Sequence, residues 1–346
     1  MTHPRIQRRL LLGAALGLPA AWLAHAADPA ADKVTFATAA VTMLYLPIYV
    51  ADVMGYFVQQ RIDAEIIAFQ SGATAFAAVL GGSANIYLGA PSTAISAIDR
   101  GSDAIIIGAV LTEFALDLVL SKQAAERKGI TASSTLDERL VALKGLRIGV
   151  SGAGSGTHQI AQYVLRQAKL DPERDATIVF VGSGPEMLTS LLSGRIDAVV
   201  TANPNSDLEV VKYGAVIMFH GAAGGYPGLS GTPNVVLVTT RRWAGSVPER
   251  TQRVLEALRL GEVGMKDPSV SDQARDRVHA KYFEQIDKGI FDIAWKSVAP
   301  AFPNTPAITV EQMSRNLAFL REFSDARYRV APEKVFTNQY IKSPGL

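Results

Sequence analysis

The chain has 346 residues, of which 48% are hydrophobic, and it contains no cysteine. The lack of cysteine excludes disulfides, thiolate metal sites, cysteine nucleophiles and a lipidated N-terminal cysteine. A chain of this length usually divides into two domains, each with a substantial hydrophobic core.

The first 26 residues have the layout of a secretory signal peptide. Three arginines precede an apolar run over residues 10–23, and Ala24 and Ala26 are the small residues expected before a cleavage site. A membrane-spanning helix would need about 20 apolar residues. We therefore predict cleavage after Ala26 and export to the periplasm, and the paired Arg8 and Arg9 leave the Sec and twin-arginine routes open.

Loss of this segment changes the charge of the protein. The segment contains three of the 34 Lys and Arg residues and none of the 32 Asp and Glu residues, so 31 positive and 32 negative side chains remain, and the formal net charge changes from +2 to −1. A nearly neutral surface gives no electrostatic basis for binding nucleic acid or anionic lipid. We expect no nucleic-acid partner.

Strand-like apolar runs alternate with helix-like stretches along the chain. The predicted strands cover residues 34–37, 65–69, 86–89, 104–110, 146–150, 177–181, 198–201 and 215–219. Such alternation is typical of βαβ units on mainly parallel sheets. The predicted fold class is α/β.

A repeat lies inside this pattern. Residues 63–93 align without a gap on residues 175–205, at an offset of 112 positions. Each copy reads as a strand, a Ser-Gly turn, a helix, a Gly turn and a strand. Chance similarities occur in any α/β protein, but gapless agreement over 31 positions, with matching glycines at turns, favours two lobes of one βαβαβ plan.

Two extended segments rich in β-branched residues are predicted to connect the lobes. Residues 116–121 would cross to the second lobe, and residues 234–240 would return. Two crossings of this kind form a hinge. The predicted divisions of the chain are 1–26 for the signal peptide, 27–121 for the first part of lobe 1, 122–233 for lobe 2, and 234–346 for the rest of lobe 1 with its C-terminal helices.

Turns rich in Ser, Thr and Asn follow the predicted strands of both lobes. In open α/β sheets, ligands bind beyond the carboxyl ends of the strands, where helix N-termini present free N–H groups. These residue types also cap helices, so capping alone is an alternative at each position. The candidate ligand-binding residues are Thr38, Thr42, Tyr45, Ser71, Thr74, Ser92, Thr93, Glu113, Phe114, Ser151, Ser155, Thr157, His158, Ser183 and Asn203. No Lys or Arg lies in these turns.

Other kinds of site lack their signatures. The glycine-rich segment 152–156 is not followed by the Lys of a phosphate-binding loop, and the strand after it does not end in the acid of a dinucleotide site. His158, His220 and His279 have no metal-ligand spacing, and no G-x-S-x-G elbow occurs. We expect no metal, no cofactor and no catalytic residue.

Several motifs occur in a recognisable order: TAAVTMLYLPIYVADVMGYFVQQRIDAEII, GGSANI, GAPST, LKGLRIGV and SGRIDAVV. Together they resemble the NMT1/THI5-like substrate-binding proteins of nitrate, sulfonate and taurine ABC transporters, over about residues 34–323. The resemblance implies a type II periplasmic binding protein fold, a ligand in the cleft between the lobes, and delivery to an inner-membrane permease driven by a cytoplasmic ATPase. THI5-like pyrimidine synthases use a cysteine-rich motif, which this chain lacks.

The predicted function is capture of a small organic or inorganic anion of the sulfonate, taurine, nitrate or aromatic carboxylate class. The protein would be a monomer in the periplasm, would not be a lipoprotein, and would do no chemistry on its ligand. Two alternatives remain open, an exported enzyme that acts on a pyrimidine-like or other small metabolite, and a sensor subunit with a signalling partner.

Overall fold

A computed structural model describes residues 31–69, 71–226, 228–323 and 327–342, so the predicted signal peptide lies outside the described residues. Strands alternate with helices through the first two thirds of the chain. The strands are β1 (Asp32–Thr38), β2 (Ile62–Ala68), β3 (Ile86–Gly89), β4 (Ala104–Leu111), β5 (Asp117–Leu120), β6 (Arg147–Val150), β7 (Thr177–Phe180), β8 (Ala198–Thr201), β9 (Val216–Phe219) and β10 (Val235–Thr240).

Helices follow most strands and fill the C-terminal third. They are α1 (Leu46–Val53), α2 (Tyr56–Gln59), α3 (Gly72–Leu80), α4 (Pro91–Asp99), α5 (Lys122–Lys128), α6 (Leu136–Ala142), α7 (Gly156–Gln167), α8 (Pro185–Leu192), α9 (Asn205–Tyr213), α10 (Arg241–Ser246), α11 (Pro248–Gly264), α12 (Ser271–Tyr282), α13 (Lys288–Val298) and α14 (Val310–Phe323). In the described part of the chain, no helix is both long enough and apolar enough to cross a membrane.

The strands form two five-stranded sheets of the same plan. Sheet A has the order β2-β1-β3-β10-β4, and sheet B has the order β7-β6-β8-β5-β9. In each sheet one strand runs antiparallel to both of its neighbours, β10 in sheet A and β5 in sheet B. We call the half built on sheet A the first lobe and the half built on sheet B the second lobe. The predicted α/β class with two lobes is confirmed.

The sequence repeat corresponds to equivalent elements of the two lobes. Strand β1 ends at Thr38 and β6 ends at Val150, which is the same offset of 112 positions that relates β3 to β8. Helices α3 and α8 end at Leu80 and Leu192, again 112 positions apart. The two lobes are therefore copies of one topology, although few of their residues are identical.

Both predicted crossings are strands that join the opposite sheet. After the first lobe, β5 enters sheet B between β8 and β9, and after the second lobe, β10 returns to sheet A between β3 and β4. The chain from Ala31 onward packs as one compact unit. The lobe limits at residues 121 and 233 therefore stay a prediction.

The C-terminal helices contact both lobes. Helix α13 packs on the sheet A side through Phe291 and Trp295 and also contacts α9 of the second lobe. On α14, Phe319 lies 5.1 Å from Phe114, which precedes the first crossing, and 6.0 Å from Tyr163 of α7, measured between ring centroids. These helices, which the sequence analysis placed in the first lobe, connect the two lobes through an apolar core.

Truncation of Phe319 should destabilise the whole protein, because its ring joins elements of both lobes and is only 5% exposed. We expect Phe319→Ala to lower the free energy of unfolding by about 3–5 kcal/mol. Urea denaturation would measure this change in the free energy of unfolding. The control is Val58→Ala on α2, a side chain that is 76% exposed, which should change stability by less than about 0.5 kcal/mol. Similar losses in both variants would contradict the role of Phe319.

Candidate functional site

A cleft of about 820 Å³ lies where the strand-following turns of the two lobes face each other. This volume is within the range of about 300–1,000 Å³ that small-molecule sites occupy. Its lining includes eight of the residues that the sequence analysis proposed. They are Tyr45, Ser71, Ser92, Thr93, Ser151, Ser155, Thr157 and Ser183.

Four helices begin at the cleft, two from each lobe. Ser71 caps α3 by accepting a hydrogen bond from the Thr74 backbone N–H, and Ser155 caps α7 by accepting from the N–H of His158. Helices α4 and α8 begin at Pro91 and Pro185 and have no side-chain cap. The backbone N–H groups in their first turns, together with the helix dipoles, can bind an anion or another acceptor.

A network of hydroxyl groups shapes the second-lobe wall of the cleft. The Thr157 hydroxyl accepts a hydrogen bond from the Ser151 backbone N–H at 2.9 Å and lies 2.9 Å from the hydroxyls of both Ser151 and Ser155. Ser155 also donates to the Gly152 carbonyl at 2.7 Å. The turn is left-handed at Gly154, where φ is +71° and a side chain would be strained. These bonds hold the loop in place before any ligand enters.

Two buried tyrosines line the first-lobe side of the cleft. Tyr45 was a candidate from the sequence, whereas Tyr87 was not. Tyr87 lies inside strand β3, and this position predicts a core residue. A Cβ atom added at Gly89 would lie 2.0 Å from the Tyr87 hydroxyl, so glycine there makes room for the ring. Burial raises the pKa of Tyr45 and of Tyr87, and both phenols stay neutral and able to donate a hydrogen bond.

The charge of the cleft is unusual for a site that would bind anions. Among the described residues that line it there is no Lys, Arg or His, and Glu186 at the start of α8 is the single acidic residue. The positive charge that faces this carboxylate is only partial, and it comes from hydroxyls and backbone N–H groups. The cleft therefore disfavours ligands that carry two negative charges.

Seven of the proposed residues lie outside the lining of the cleft. They are Thr38, Thr42, Thr74, Glu113, Phe114, His158 and Asn203. Hydrogen bonds within turns or to a neighbouring strand account for four of them. The Thr38 hydroxyl donates to the Ile67 carbonyl, Thr42 and Thr74 accept from backbone N–H groups at helix starts, and His158 Nδ1 accepts from the Gly154 N–H at 3.0 Å. At Thr42, Thr74 and His158 the sequence pattern reflects capping and turn formation, whereas Thr38 bonds to the neighbouring strand β2.

Of the other three side chains, those of Glu113 and Phe114 are held by contacts that link distant parts of the chain, whereas Asn203 bonds to a residue four positions further on. Glu113 accepts hydrogen bonds from the Ser230 hydroxyl at 2.7 Å and from the Gly231 N–H, and Phe114 packs in the apolar core. Asn203 is 2% exposed and donates to Asp207 at 2.7 Å. Because the partners of Glu113 and Phe114 come from other segments, the positions of these two side chains could not be predicted from the turns themselves.

Several lining residues were missed by sequence reasoning. Leu44, Leu116 and Val235 add apolar wall, and Asn234 adds an amide where the second crossing returns to sheet A. Leu116, Asn234 and Val235 belong to the predicted crossings, so the β-branched segments carried a sequence signal for three of these four residues. No grouping of His, Asp or Glu among the described residues could hold a metal ion.

The two similar lobes, the paired crossing strands and the shared cleft define the type II periplasmic binding protein fold. The chain itself belongs to the NMT1-like family, whose model matches residues 27–260. The family predicted from the order of the motifs is therefore confirmed.

Solved structures share this fold at low sequence identity. A protein from Bordetella bronchiseptica RB50 has a TM-score of 0.74 and 23% identity, over 89% of this chain and 95% of that one. The alkanesulfonate-binding protein SsuA from Xanthomonas axonopodis pv. citri, bound to MOPS, has a TM-score of 0.66 and 17% identity, over 92% and 99%. The periplasmic aliphatic sulphonate binding protein SsuA from Escherichia coli has a TM-score of 0.66 and 15% identity, over 92% and 94%. No curated protein sequence matches significantly.

A methyl group at Gly89 should disturb the cleft, because it would overlap the Tyr87 ring and displace the phenol. We expect Gly89→Ala to lower the free energy of unfolding by about 1–3 kcal/mol. Gly152→Ala is the matched control in the same cleft, since nothing lies within 4 Å of its added Cβ. Chemical denaturation would compare the two variants, and an unchanged stability of Gly89→Ala would show that Tyr87 moves away without cost.

Proposed function

We propose that the protein is the periplasmic solute-binding component of an ABC importer and that it captures a small organic anion in the cleft. The observation that carries the proposal is the convergence of four helix N-termini from two lobes on one cavity lined with hydroxyl groups. Partial positive charge at helix starts attracts an anion without a basic side chain. Membership of the NMT1-like family supports the same reading.

The cleft favours an organic anion with one negative charge. The anionic group would be bound by N–H groups and hydroxyls, and the rest of the ligand would contact apolar surface from Leu44, Leu116 and Val235 beside the two tyrosines. A nitrate ion would leave most of a cavity of about 820 Å³ empty. The solved alkanesulfonate-binding and aliphatic sulphonate-binding proteins support a sulfonate, and an aromatic or aliphatic carboxylate has the same features.

The mechanism is binding without chemistry. An open form admits the ligand, the lobes rotate about the crossings β5 and β10, and the ligand is enclosed by groups from both lobes. The closed form is then recognised by an inner-membrane permease, and a cytoplasmic ATPase drives transport. In this proposal the predicted signal peptide directs a monomeric protein to the periplasm.

A ligand panel tests the function. Organic sulfonates and monocarboxylates should raise the unfolding temperature, since a ligand at a hundred times its Kd adds about 2.7 kcal/mol of stability, whereas nitrate should have little effect. Differential scanning fluorimetry measures the shift, and mass spectrometry of the recovered ligand checks that it is unchanged. If no solute of the panel stabilises the protein, or if a solute is consumed, the transport proposal is wrong and the exported enzyme gains support.

The carboxylate in the cleft provides a second test. With the best anion of the panel, Glu186→Gln should bind about two- to fivefold tighter at low ionic strength, because a like charge is removed. The gain should shrink as salt is added. Glu126→Gln on α5, an exposed acid outside the cleft lining, is the matched control. Calorimetric titration that finds equal affinities for all three proteins would place the anion away from Glu186.

A further inference from the structure

A chain of hydrogen bonds connects the crossing strand β5 to the C-terminal helix α13. The fully buried Asp117 begins β5, and its Oδ1 lies 2.8 Å from Nδ1 of His220. The other ring nitrogen of His220, Nε2, lies 2.8 Å from the Ser297 hydroxyl on α13. We call this Asp117–His220–Ser297 chain the latch.

The latch joins the two lobes. Asp117 lies in sheet B, and His220 directly follows β9 of the same sheet. Ser297 lies on α13, where the neighbouring residues Trp295 and Val298 are buried in the hydrophobic core cluster that contains β1 and β10 of sheet A. Rotation of the second lobe relative to α13 would therefore stretch the bond between His220 and Ser297.

The latch is also tied to the wall of the cleft. The Gly221 N–H donates to Asp117 Oδ1 at 2.9 Å, and the Tyr226 hydroxyl donates to the Leu116 carbonyl at 2.7 Å. A Cβ atom at Gly221 would lie 1.9 Å from the Phe114 carbonyl oxygen, so the loop after β9 is pressed against the crossing segment. Leu116, one residue before Asp117, lines the cleft. A shift of the latch would thus move part of the ligand site.

Titratable groups surround His220 on several elements. Helix α9 contributes Asp207, which accepts a hydrogen bond from Asn203, and the fully buried Glu209, whose two carboxylate oxygens have no hydrogen-bond partner among the described residues. Helix α6 contributes Arg139, which lines the pocket beside His220 and donates to the Met218 carbonyl. On α13, Lys296 is exposed next to Ser297. The group nearest to His220 is thus an acid, and more acids than bases are close to it.

We propose that the latch stabilises one relative position of the lobes and that protonation of His220 tightens it. The neutral ring donates to one partner only and must accept from the other, whereas the protonated ring donates to both Asp117 and Ser297. Charge-assisted hydrogen bonds are roughly twice as strong as neutral ones. Acidification should therefore narrow the range of lobe positions in the ligand-free protein.

The electrostatics set the direction of the pH effect. The hydrogen bond with Asp117 raises the pKa of His220 against the opposing effect of burial. Stabilisation from this group is complete below the ordinary histidine pKa and is lost as the pH rises through the raised value. Burial, reinforced by Asp117, raises the pKa of Glu209 to about 8, so its stabilisation is lost as the pH rises from the ordinary glutamate value to about 8. A variant must therefore distinguish the effect of His220 on the pH dependence from that of Glu209.

Because the chain has no cysteine of its own, only introduced cysteines would carry labels, which makes it simple to measure a distance between the lobes. Val58→Cys on α2 and Val141→Cys on α6 place one label on each lobe, at side chains that are both 76% exposed. Spin labels and pulsed electron–electron resonance then report the lobe separation of the ligand-free protein, at about pH 5.5 and about pH 8.5. No ligand is needed, so the result does not depend on the proposed transport function.

We expect a narrow distance distribution at the acidic pH and a broader one at the alkaline pH. His220→Gln should remove the pH dependence, and Ser297→Ala should give the broad distribution at both pH values. The matched control His279→Gln should behave like the parent, because His279 contacts the Ile286 carbonyl within the C-terminal helices. Glu209→Gln should keep the response if His220 is the group that senses pH.

Three results would overturn the latch. They are a parent protein without pH response, a His220→Gln variant that responds like the parent, and a response abolished by Glu209→Gln alone. If circular dichroism shows that His220→Gln does not fold, Ser297→Ala decides, since it removes only a hydroxyl.

The Asp–His–Ser order is also that of a hydrolase triad, but Ser297 does not line the pocket of about 350 Å³ beside His220. Hydrolysis of p-nitrophenyl acetate that depends on Ser297 would make it a nucleophile and refute the latch.

Discussion

The backbone pairing of β5 and β10 inside the opposite sheets is the constraint on which the rest of the structure depends. Each of these strands has two antiparallel neighbours, so removing either would expose unpaired N–H and C=O groups in the middle of a sheet. Neither sheet is complete without a strand that follows the other lobe in the chain. This exchange keeps the two lobes side by side and brings Leu116 and Asn234, which precede the two strands, to the wall of the cleft.

In the proposed function, the cleft attracts its ligand through the partial charges of N–H groups and hydroxyls, and no basic side chain is among its described lining residues. Helix N-termini and hydroxyls from both lobes meet at one cavity, and the single carboxylate among its described lining residues would weaken the binding of a strongly charged anion. Such groups provide specificity through geometry, because N–H groups fixed by helices and capped turns cannot move to fit a ligand of the wrong shape. This combination suits the proposed function, in which the protein holds a solute and later releases it.

The C-terminal helices restrict how the lobes can move. Helices α13 and α14 each contact both lobes, the first through the hydrogen bond between Ser297 and His220 and the second through the packing of Phe319. A hinge made only of two crossing strands would permit wide rotation. The additional contacts limit that rotation and place a titratable group where the lobes are joined, so lobe movement and proton binding can be coupled.

The sequence by itself determined the α/β class, the two equivalent lobes and the position of both crossings. These features depend on local patterns, since buried strands need apolar runs and tight turns need glycine. The apolar runs and the glycine turns each occur twice in the sequence, at an offset of 112 positions. It also identified the turns that line the cleft. Within those turns it could not separate cleft-lining residues such as Ser92 from capping residues such as Thr42, because the same hydroxyl serves either purpose.

Only the tertiary structure decided which side chains meet. Tyr87 reads as a core residue in a strand, and its place in the cleft depends on the space left at Gly89. Glu113 lies in a turn of the expected kind, yet its carboxylate accepts hydrogen bonds from Ser230 and Gly231, which are 117 and 118 positions further along the chain. Asp117 and His220 are 103 positions apart, and His220 and Ser297 are 77 positions apart. No local pattern encodes such contacts, because chain topology alone brings these residues together.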